Sequence, residues 1–429
     1  MHIPVLGLIG TAVRTLWDKL RGRPTVQADR GSVAAGGDQT INAPVATGSS
    51  VVATDQAAAM MASGSGTNVY APGATINNIY NVYIDGLNTA PTPTRDHFQE
   101  GQQLQEADRH DAAIEEFQAA LANTDTDSQR GALHLLMGIS EDILGRPAQA
   151  EGSFQDAFRL FKSAGDNKGQ ASALGNLGIV YGNRGELDKA EEHHKQALAI
   201  AKEIGDRLGQ AKDLGNLGTV YGRRGALDQA EEHLKQALEL DRESGSREGE
   251  AADLGNLGLI YRLRGELDKA EEHHKQALAI AKEIGDRLGE ASQLGNLGIV
   301  YTHQGKLDKA QNYLQQALEI QRQIGDRLHE ANQLGNLGNV YRLRGDLDKA
   351  EQHYQQALGI GREIGDRLGE ANRLGSLGLL YRDRGDVAKA KDYLQKAQAI
   401  FEAIGARPEA QKARRQLGEL EREQQERGE

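Results

Sequence analysis

Five asparagine side chains recur at a spacing of 40 residues and could hold the main chain of a peptide. They are Asn176, Asn216, Asn256, Asn296 and Asn336. A carboxamide both donates and accepts hydrogen bonds, so a row of them can pair with an extended peptide whatever its sequence. The alternative is that each asparagine bonds the next helix and fixes the packing, because short polar side chains in helices often bond locally.

Basic residues recur close to these asparagines and suggest an acidic partner. They are Lys212, Arg223, Arg262, Arg342 and Arg382, and Asp383 opposes them at the far end of the row. Guanidinium groups bind carboxylates and phosphates through paired hydrogen bonds, so an acidic or phosphorylated peptide would suit them. The alternative is that they are solvated surface residues, which are common on helices.

The sequence contains no convincing catalytic, cofactor-binding or metal-binding motif. Its glycines recur with the same period as the asparagines, and none forms a phosphate loop after a predicted strand. The pairs His193-His194 and His273-His274 are adjacent in sequence, and adjacent side chains on a helix point about 100° apart, which does not suit a chelate. We therefore predict a protein that is not an enzyme and that uses no metal or cofactor.

A repeat of 40 residues must position all of these side chains. The segment 185–209 recurs letter for letter at 265–289, and the phrase Leu-Gly-Asn-Leu-Gly begins at 174, 214, 254, 294 and 334. Six clear units run 166–205, 206–245, 246–285, 286–325, 326–365 and 366–405, and two diverged units precede them at 126–165 and about 94–125. A repeat array grows by adding units and needs no single large core.

Each unit reads as two helices. Leu174, Leu177 and Tyr181 share one stripe of the first, which we name helix A, and Ala190 and Ala197 share one stripe of the second, helix B. Glycine ends each helix, and the aspartate that follows the second glycine is a good N-cap for the next helix A. Neither helix is stable alone, so the hairpins must stack.

With these residues at these offsets, the repeat resembles the tetratricopeptide motif over residues 94–405. Its 40-residue form looks most like the Leu-Gly-Asn repeat adaptors, and it is similar to kinesin light chain. The resemblance implies an all-α, right-handed superhelical solenoid whose concave groove is lined by the recurring asparagines. It also implies a scaffold or adaptor that binds a peptide or a partner protein in that groove.

The segments outside the array differ from it in composition. Residues 1–23 have an amphipathic pattern that could contact a membrane or a partner, and residues 24–93 combine low complexity with β-prone phrases. The β-prone segment is either a flexible linker or a site of self-association into homo-oligomers. Residues 406–429 read as a charged helix that caps the open end of the solenoid.

Composition narrows the range of functions. The formal net charge is −12, which argues against binding of nucleic acid as the main activity. The chain has no cysteine and no predicted signal peptide or membrane span, so we expect a cytoplasmic protein. Two hypotheses remain: an adaptor that binds a partner in its groove, and a structural protein that assembles through residues 24–93.

Overall fold

The described part of the protein consists of paired α-helices. The computed structural model describes residues 87–88 and 90–427. The helices A are α1 (Thr92–Glu106), α3 (Asp127–Ile143), α5 (Asn167–Asn183), α7 (Arg207–Arg223), α9 (Arg247–Leu263), α11 (Arg287–His303), α13 (Arg327–Leu343) and α15 (Arg367–Asp383). The helices B are α2 (His110–Ala122), α4 (Pro147–Ser163), α6 (Leu187–Glu203), α8 (Leu227–Ser244), α10 (Leu267–Ile284), α12 (Leu307–Ile324), α14 (Leu347–Glu363) and α16 (Val387–Ala403). A last helix, α17 (Arg407–Arg427), packs on α16.

The predicted all-α solenoid is confirmed. Each helix B packs against its own helix A and against the helix A that follows, and no strand occurs in the described residues. The amphipathic segment 1–23 and nearly all of the β-prone segment 24–93 lie outside the described residues. None of the described helices is long and apolar enough to cross a membrane.

Glycine and aspartate mark the junctions between helices for local reasons. Gly205 has a φ of 70°, a left-handed conformation that glycine adopts without a steric penalty. The amide of Asp206 donates to the carbonyl of Ala201 at 2.9 Å, which closes the end of helix α6 in a Schellman motif. The Asp206 side chain then accepts from the Gly209 amide at 3.0 Å and caps the start of α7.

The core follows the predicted stripes. On α5, Leu174, Leu177 and Tyr181 are at most 5% exposed, and on α6 Ala190 and Ala197 are fully buried. Burial of such side chains stabilises a fold by about 1.5–3 kcal/mol for each large apolar residue. Because each stripe is covered partly by a neighbouring repeat, this stabilisation depends on stacking.

Glycine lets the two helices of a hairpin approach closely. A Cβ atom on Gly178 would lie 2.6 Å from Nε2 of His194, so the His194 ring of helix B fills the space that a larger residue in helix A would need. The same arrangement recurs in later hairpins. The pairs are Gly218 and Leu234, Gly258 and His274, Gly298 and Leu314, Gly338 and Tyr354, and Gly378 and Leu394.

Candidate functional site

The candidate site is the side of the helices A that faces away from helices B, which we name the inner face. Helices A of successive repeats contact each other more closely than helices B do, so the helices A form the inner row of the stack. Asn176 comes two residues after Leu174 and therefore lies about 200° around the helix from it. The inner face thus carries the recurring asparagines, one on each of the helices A α5, α7, α9, α11 and α13.

The asparagines of the inner face lie deeper than a solvent-exposed row would. Asn176, Asn296 and Asn336 are 2%, 6% and 1% exposed, and Asn216 and Asn256 are half-buried. The Asn176 amide nitrogen donates to the carbonyl of Ser172 in its own helix at 2.9 Å. This bond differs from the predicted alternative of a bond to the next helix.

Some of these amides have unused hydrogen-bonding capacity. Both side-chain polar atoms of Asn336 are buried without a hydrogen-bond partner, and so is Nδ2 of Asn216. A buried polar group without a partner costs roughly 1–3 kcal/mol.

Two of the predicted basic residues form ion pairs with acidic residues of the same chain. Nη1 of Arg342 on α13 lies 2.7 Å from Oδ2 of Asp383 on α15. Nη1 of Arg382 lies 3.8 Å from a carboxylate oxygen of Glu419 on α17. The predicted opposition of Asp383 is therefore a direct ion pair with Arg342.

The other predicted basic residues concentrate on α7 and α9. Nη1 of Arg223 donates to the carbonyl of Gly182 at 2.5 Å, and Arg262 is 7% exposed. Lys212 exposes part of its surface, yet the surrounding protein displaces water and lowers the pKa of its ammonium group to about 8. Burial, with a smaller contribution from Arg262, also lowers the pKa of His303 on α11 to about 4, which keeps that imidazole neutral.

The comparison with known families decides what these stacked hairpins are. The profile of the tetratricopeptide repeat family matches residues 169–243, 250–323 and 329–403, which together make up more than half of the chain. The chain is a tetratricopeptide repeat protein. Solenoids of this family are typically non-enzymatic modules of protein interaction.

Solved structures with similar folds agree with this assignment. One is a signal transduction ATPase with numerous domains from Pyrococcus horikoshii that has a tetratricopeptide repeat sensor, at 17% identity and a TM-score of 0.55, covering 82% of this chain and 54% of that chain. Another is aspartyl phosphate phosphatase F from Bacillus subtilis, at 14% identity and a TM-score of 0.53, covering 62% and 70%.

A third similar structure is a Rap protein complexed with competence and sporulation factor. It has 18% identity and a TM-score of 0.51, and the match covers 78% of this chain and 98% of that chain. These identities show a shared fold only. A search of curated protein sequences found no match. The narrower resemblance to the Leu-Gly-Asn repeat adaptors and to kinesin light chain stays a prediction.

The sequence did not predict a second structural role of the Leu-Gly-Asn-Leu-Gly phrase in this tetratricopeptide repeat protein, which is to make room for a side chain of the next repeat. The first glycine of the phrase receives a polar side chain from the next helix A: a Cβ on Gly215 would lie 3.0 Å from Oδ1 of Asp253, and a Cβ on Gly255 would lie 2.7 Å from Nε2 of Gln293. The five polar residues of this type are Asp213, Asp253, Gln293, Gln333 and Arg373, all at most 5% exposed. The recurrence of a polar residue at these positions, every 40 residues, was the sequence signal that could have indicated this contact.

A polar clamp that was also missed joins neighbouring tetratricopeptide repeats at five junctions. The Tyr261 hydroxyl on α9 donates to Oε1 of Glu231 on α8 at 2.7 Å, and Arg264 bonds both Glu231 and Asp228. Although partial burial opposes it, hydrogen bonds from Lys235, Tyr261 and Arg264 lower the pKa of Glu231 to about 2. Equivalent tyrosine–glutamate bonds join Tyr181 to Glu151, Tyr221 to Glu191, Tyr301 to Glu271 and Tyr381 to Glu351.

Proposed function

We propose that the repeat array of residues 94–405 is a scaffold that binds a peptide, or an extended segment of a partner protein, along its inner face. The observation that carries this proposal is the row of inner-face asparagines, of which Asn216 and Asn336 have amide atoms without partners. Main-chain amides of a bound peptide are the groups that would complement them. The row crosses the helices A of five successive repeats, so it would bind an extended chain rather than a compact ligand.

Two further observations support this proposal. The Rap protein that shares the fold was solved in complex with competence and sporulation factor, so a chain of similar fold holds a bound partner. In addition, Lys212, Arg223 and Arg262 place positive charge on or beside the inner face at α7 and α9. An acidic peptide segment would complement this positive charge at α7 and α9.

Peptide selection on the purified chain, followed by measurement of affinity, tests the proposal. A randomised library of displayed peptides yields ligands, and their dissociation constants are then compared between the parent and a triple variant with Asn216→Ala, Asn256→Ala and Asn296→Ala. Loss of three hydrogen bonds at roughly 0.5–1.5 kcal/mol each should weaken binding by at least about tenfold. Thermal stability should change little.

A control asparagine lies on the outer surface. Asn312 on α12 is exposed and accepts a hydrogen bond from Gln316, so Asn312→Ala should leave the dissociation constants unchanged. Unchanged affinity in the triple variant would exclude the asparagine row from binding. Selection that yields no ligand competing for the inner face would contradict the proposal as a whole. Self-association through residues 24–93 stays a prediction of the sequence.

A further inference from the structure

Two aspartates from neighbouring repeats lie buried together where α9 packs on α8. Asp241 on α8 and Asp253 on α9 are 5% and 4% exposed, and their carboxyl groups are close enough to hydrogen-bond when one of them carries a proton. Two acids meet in this way at one junction only between α4 and α17. The corresponding positions elsewhere hold Phe161 and Ala173, Ala201 and Asp213, Ala281 and Gln293, Gln321 and Gln333, Gly361 and Arg373, and Phe401 and Ala413.

The surroundings of Asp253 provide no compensating cation among the described residues. In the preceding repeat, Asp213 lies 3.4 Å from Nδ1 of the buried His194, whereas Leu234 takes the place of that histidine beside Asp253. On α7 the residue against the Asp253 carboxyl is Gly215, and Oδ2 of Asp253 has no hydrogen-bond partner. Asp241 is the one titratable group in the described part of the chain that acts on Asp253.

Asp241 has polar and charged neighbours, and within residues 90–427 no cation pairs with it. The Asp241 carboxylate, on α8, is hydrogen-bonded to Ser246, which is the N-cap of α9. The negative charge of Glu250, which lies in the first turn of α9, repels it. The nearby guanidinium groups are used by that glutamate: Nε of Arg242 lies 2.8 Å from Oε1 of Glu250, and Arg247 bonds its other oxygen. The pair therefore depends on a proton rather than on a counter-charge.

Two carboxylates buried side by side cannot both be ionised without a large electrostatic penalty. Burial first, and then the neighbouring acid, raise the pKa of Asp253 well above its ordinary value. Burial also raises the pKa of Asp241 to about 6, against the opposing effect of the Ser246 hydrogen bond. One proton held between the two carboxyl groups would remove this penalty.

We propose that Asp241 and Asp253 form a proton-dependent latch between repeats 206–245 and 246–285. While the pair holds its proton, α9 stays packed on α8. Release of the proton to solvent leaves two buried negative charges and loosens the stacking at this junction. Asn216 and Asn256 lie on opposite sides of it, so the latch would control the continuity of the inner face at this point, although the latch itself does not depend on the proposed binding.

The direction of the pH effect follows from the raised pKa values. A group whose pKa is higher in the folded state stabilises that state fully below the pKa of the unfolded state, about 3.9 for aspartate, and this stabilisation is lost as pH rises through the folded value. The equilibrium constant for opening should therefore rise about tenfold per pH unit for each proton that the closed junction retains and the open junction releases. Acids with a lowered pKa, such as the ion-paired Glu231, have the opposite effect: their contribution to stability is lost as pH falls, and this happens at lower pH.

Hydrogen exchange measured by mass spectrometry on the full chain tests the latch. Protection of peptides from α8 and α9 is measured at pH 5, 6, 7 and 8, corrected for intrinsic exchange rates, and compared with peptides from α11 and α12 in the same samples. We expect protection in α8 and α9 to fall about tenfold from pH 6 to pH 7. Protection in α11 and α12 should not fall, because the buried, neutral His303 favours the folded state more as pH rises.

Two substitutions make the test specific. Asp253→Asn mimics the protonated acid and should abolish the pH dependence in α8 and α9, whereas Asp213→Asn removes an acid paired with His194 and should leave that dependence intact. If Asp253→Asn does not fold, Asp241→Asn serves the same purpose. A parent protein without a steeper pH dependence at α8 and α9, or an Asp253→Asn variant that retains it, would overturn the proposal.

Discussion

Two glycines three residues apart on α15 should respond to alanine in opposite ways. A Cβ atom on Gly378 would lie 2.7 Å from Cγ of Leu394 and 3.0 Å from its Cδ2, whereas a Cβ on Gly375 meets no atom within 4 Å. Both glycines lie inside the same helix, so they share the same cost in helix propensity. The difference in stability between the two alanine variants therefore reports the steric effect of α16, which lies close to Gly378 and not to Gly375.

The magnitudes follow from two opposing terms. Alanine is favoured over glycine in a helix interior by about 1 kcal/mol, so Gly375→Ala should stabilise the protein by up to that amount. The same gain applies to Gly378→Ala, but forcing a methyl group into a packed core costs typically about 1–3 kcal/mol. We expect the free energies of unfolding of the two variants to differ by about 1–3 kcal/mol, with Gly378→Ala the less stable.

Urea unfolding followed by far-ultraviolet circular dichroism measures both free energies. Leu394→Ala provides a second test, because truncation of the leucine removes the atoms that the new methyl group would contact. The destabilisation caused by Gly378→Ala should then largely disappear in the Leu394→Ala background, which a double-mutant cycle would report as coupling. If both glycine substitutions stabilise the protein equally, the glycine is not required for the approach of the two helices.

Two further predictions concern individual side chains. Burial lowers the pKa of His274 to about 4, so this residue should cost the parent up to about 3 kcal/mol of stability as pH falls from 6.5 to 4. His274→Leu, which copies Leu314 of the next repeat, should lose correspondingly less stability, and the loss that remains includes the one caused by the buried His303. Urea unfolding at pH 7 and pH 4.5 measures the difference between parent and variant. Nε2 of Gln304 lies 3.2 Å from carboxylate oxygens of Asp268 and Glu271, at a position where other repeats have arginine. Gln304→Arg should therefore raise the free energy of unfolding by up to about 1 kcal/mol in low salt and by less in high salt. A gain that does not depend on salt would contradict an ionic clamp.

Most of the fold could be predicted because its signals are local and repeat. The stripe of Leu174, Leu177 and Tyr181 has helical spacing, and Gly205 with Asp206 is a strong end-and-start signal for consecutive helices. Both depend on residues within a few positions of each other. Repetition at 40-residue intervals then made each signal visible several times.

Contacts between repeats could not be predicted in the same way. Asp253 packs against Gly215, which is 38 positions away, and Tyr261 bonds Glu231, 30 positions away. Which side chains meet depends on how far each hairpin turns relative to the last, and helical periodicity within a hairpin does not specify that rotation. The local bond of Asn176 to its own helix was missed for a different reason, because a side chain that can bond either neighbour or backbone gives no preference in the sequence.

The clamp has a consequence for the length of the array. Its tyrosine–glutamate bonds always span 30 positions, as from Tyr261 to Glu231 and from Tyr301 to Glu271. Excision of residues 246–285 would bring Tyr301 to the same separation from Glu231, and duplication of that unit would create another junction of the same kind. Removal or duplication of the unit 246–285 therefore keeps the tyrosine clamps intact, which makes the extent of the inner face a variable that evolution or an engineer can adjust in fixed steps.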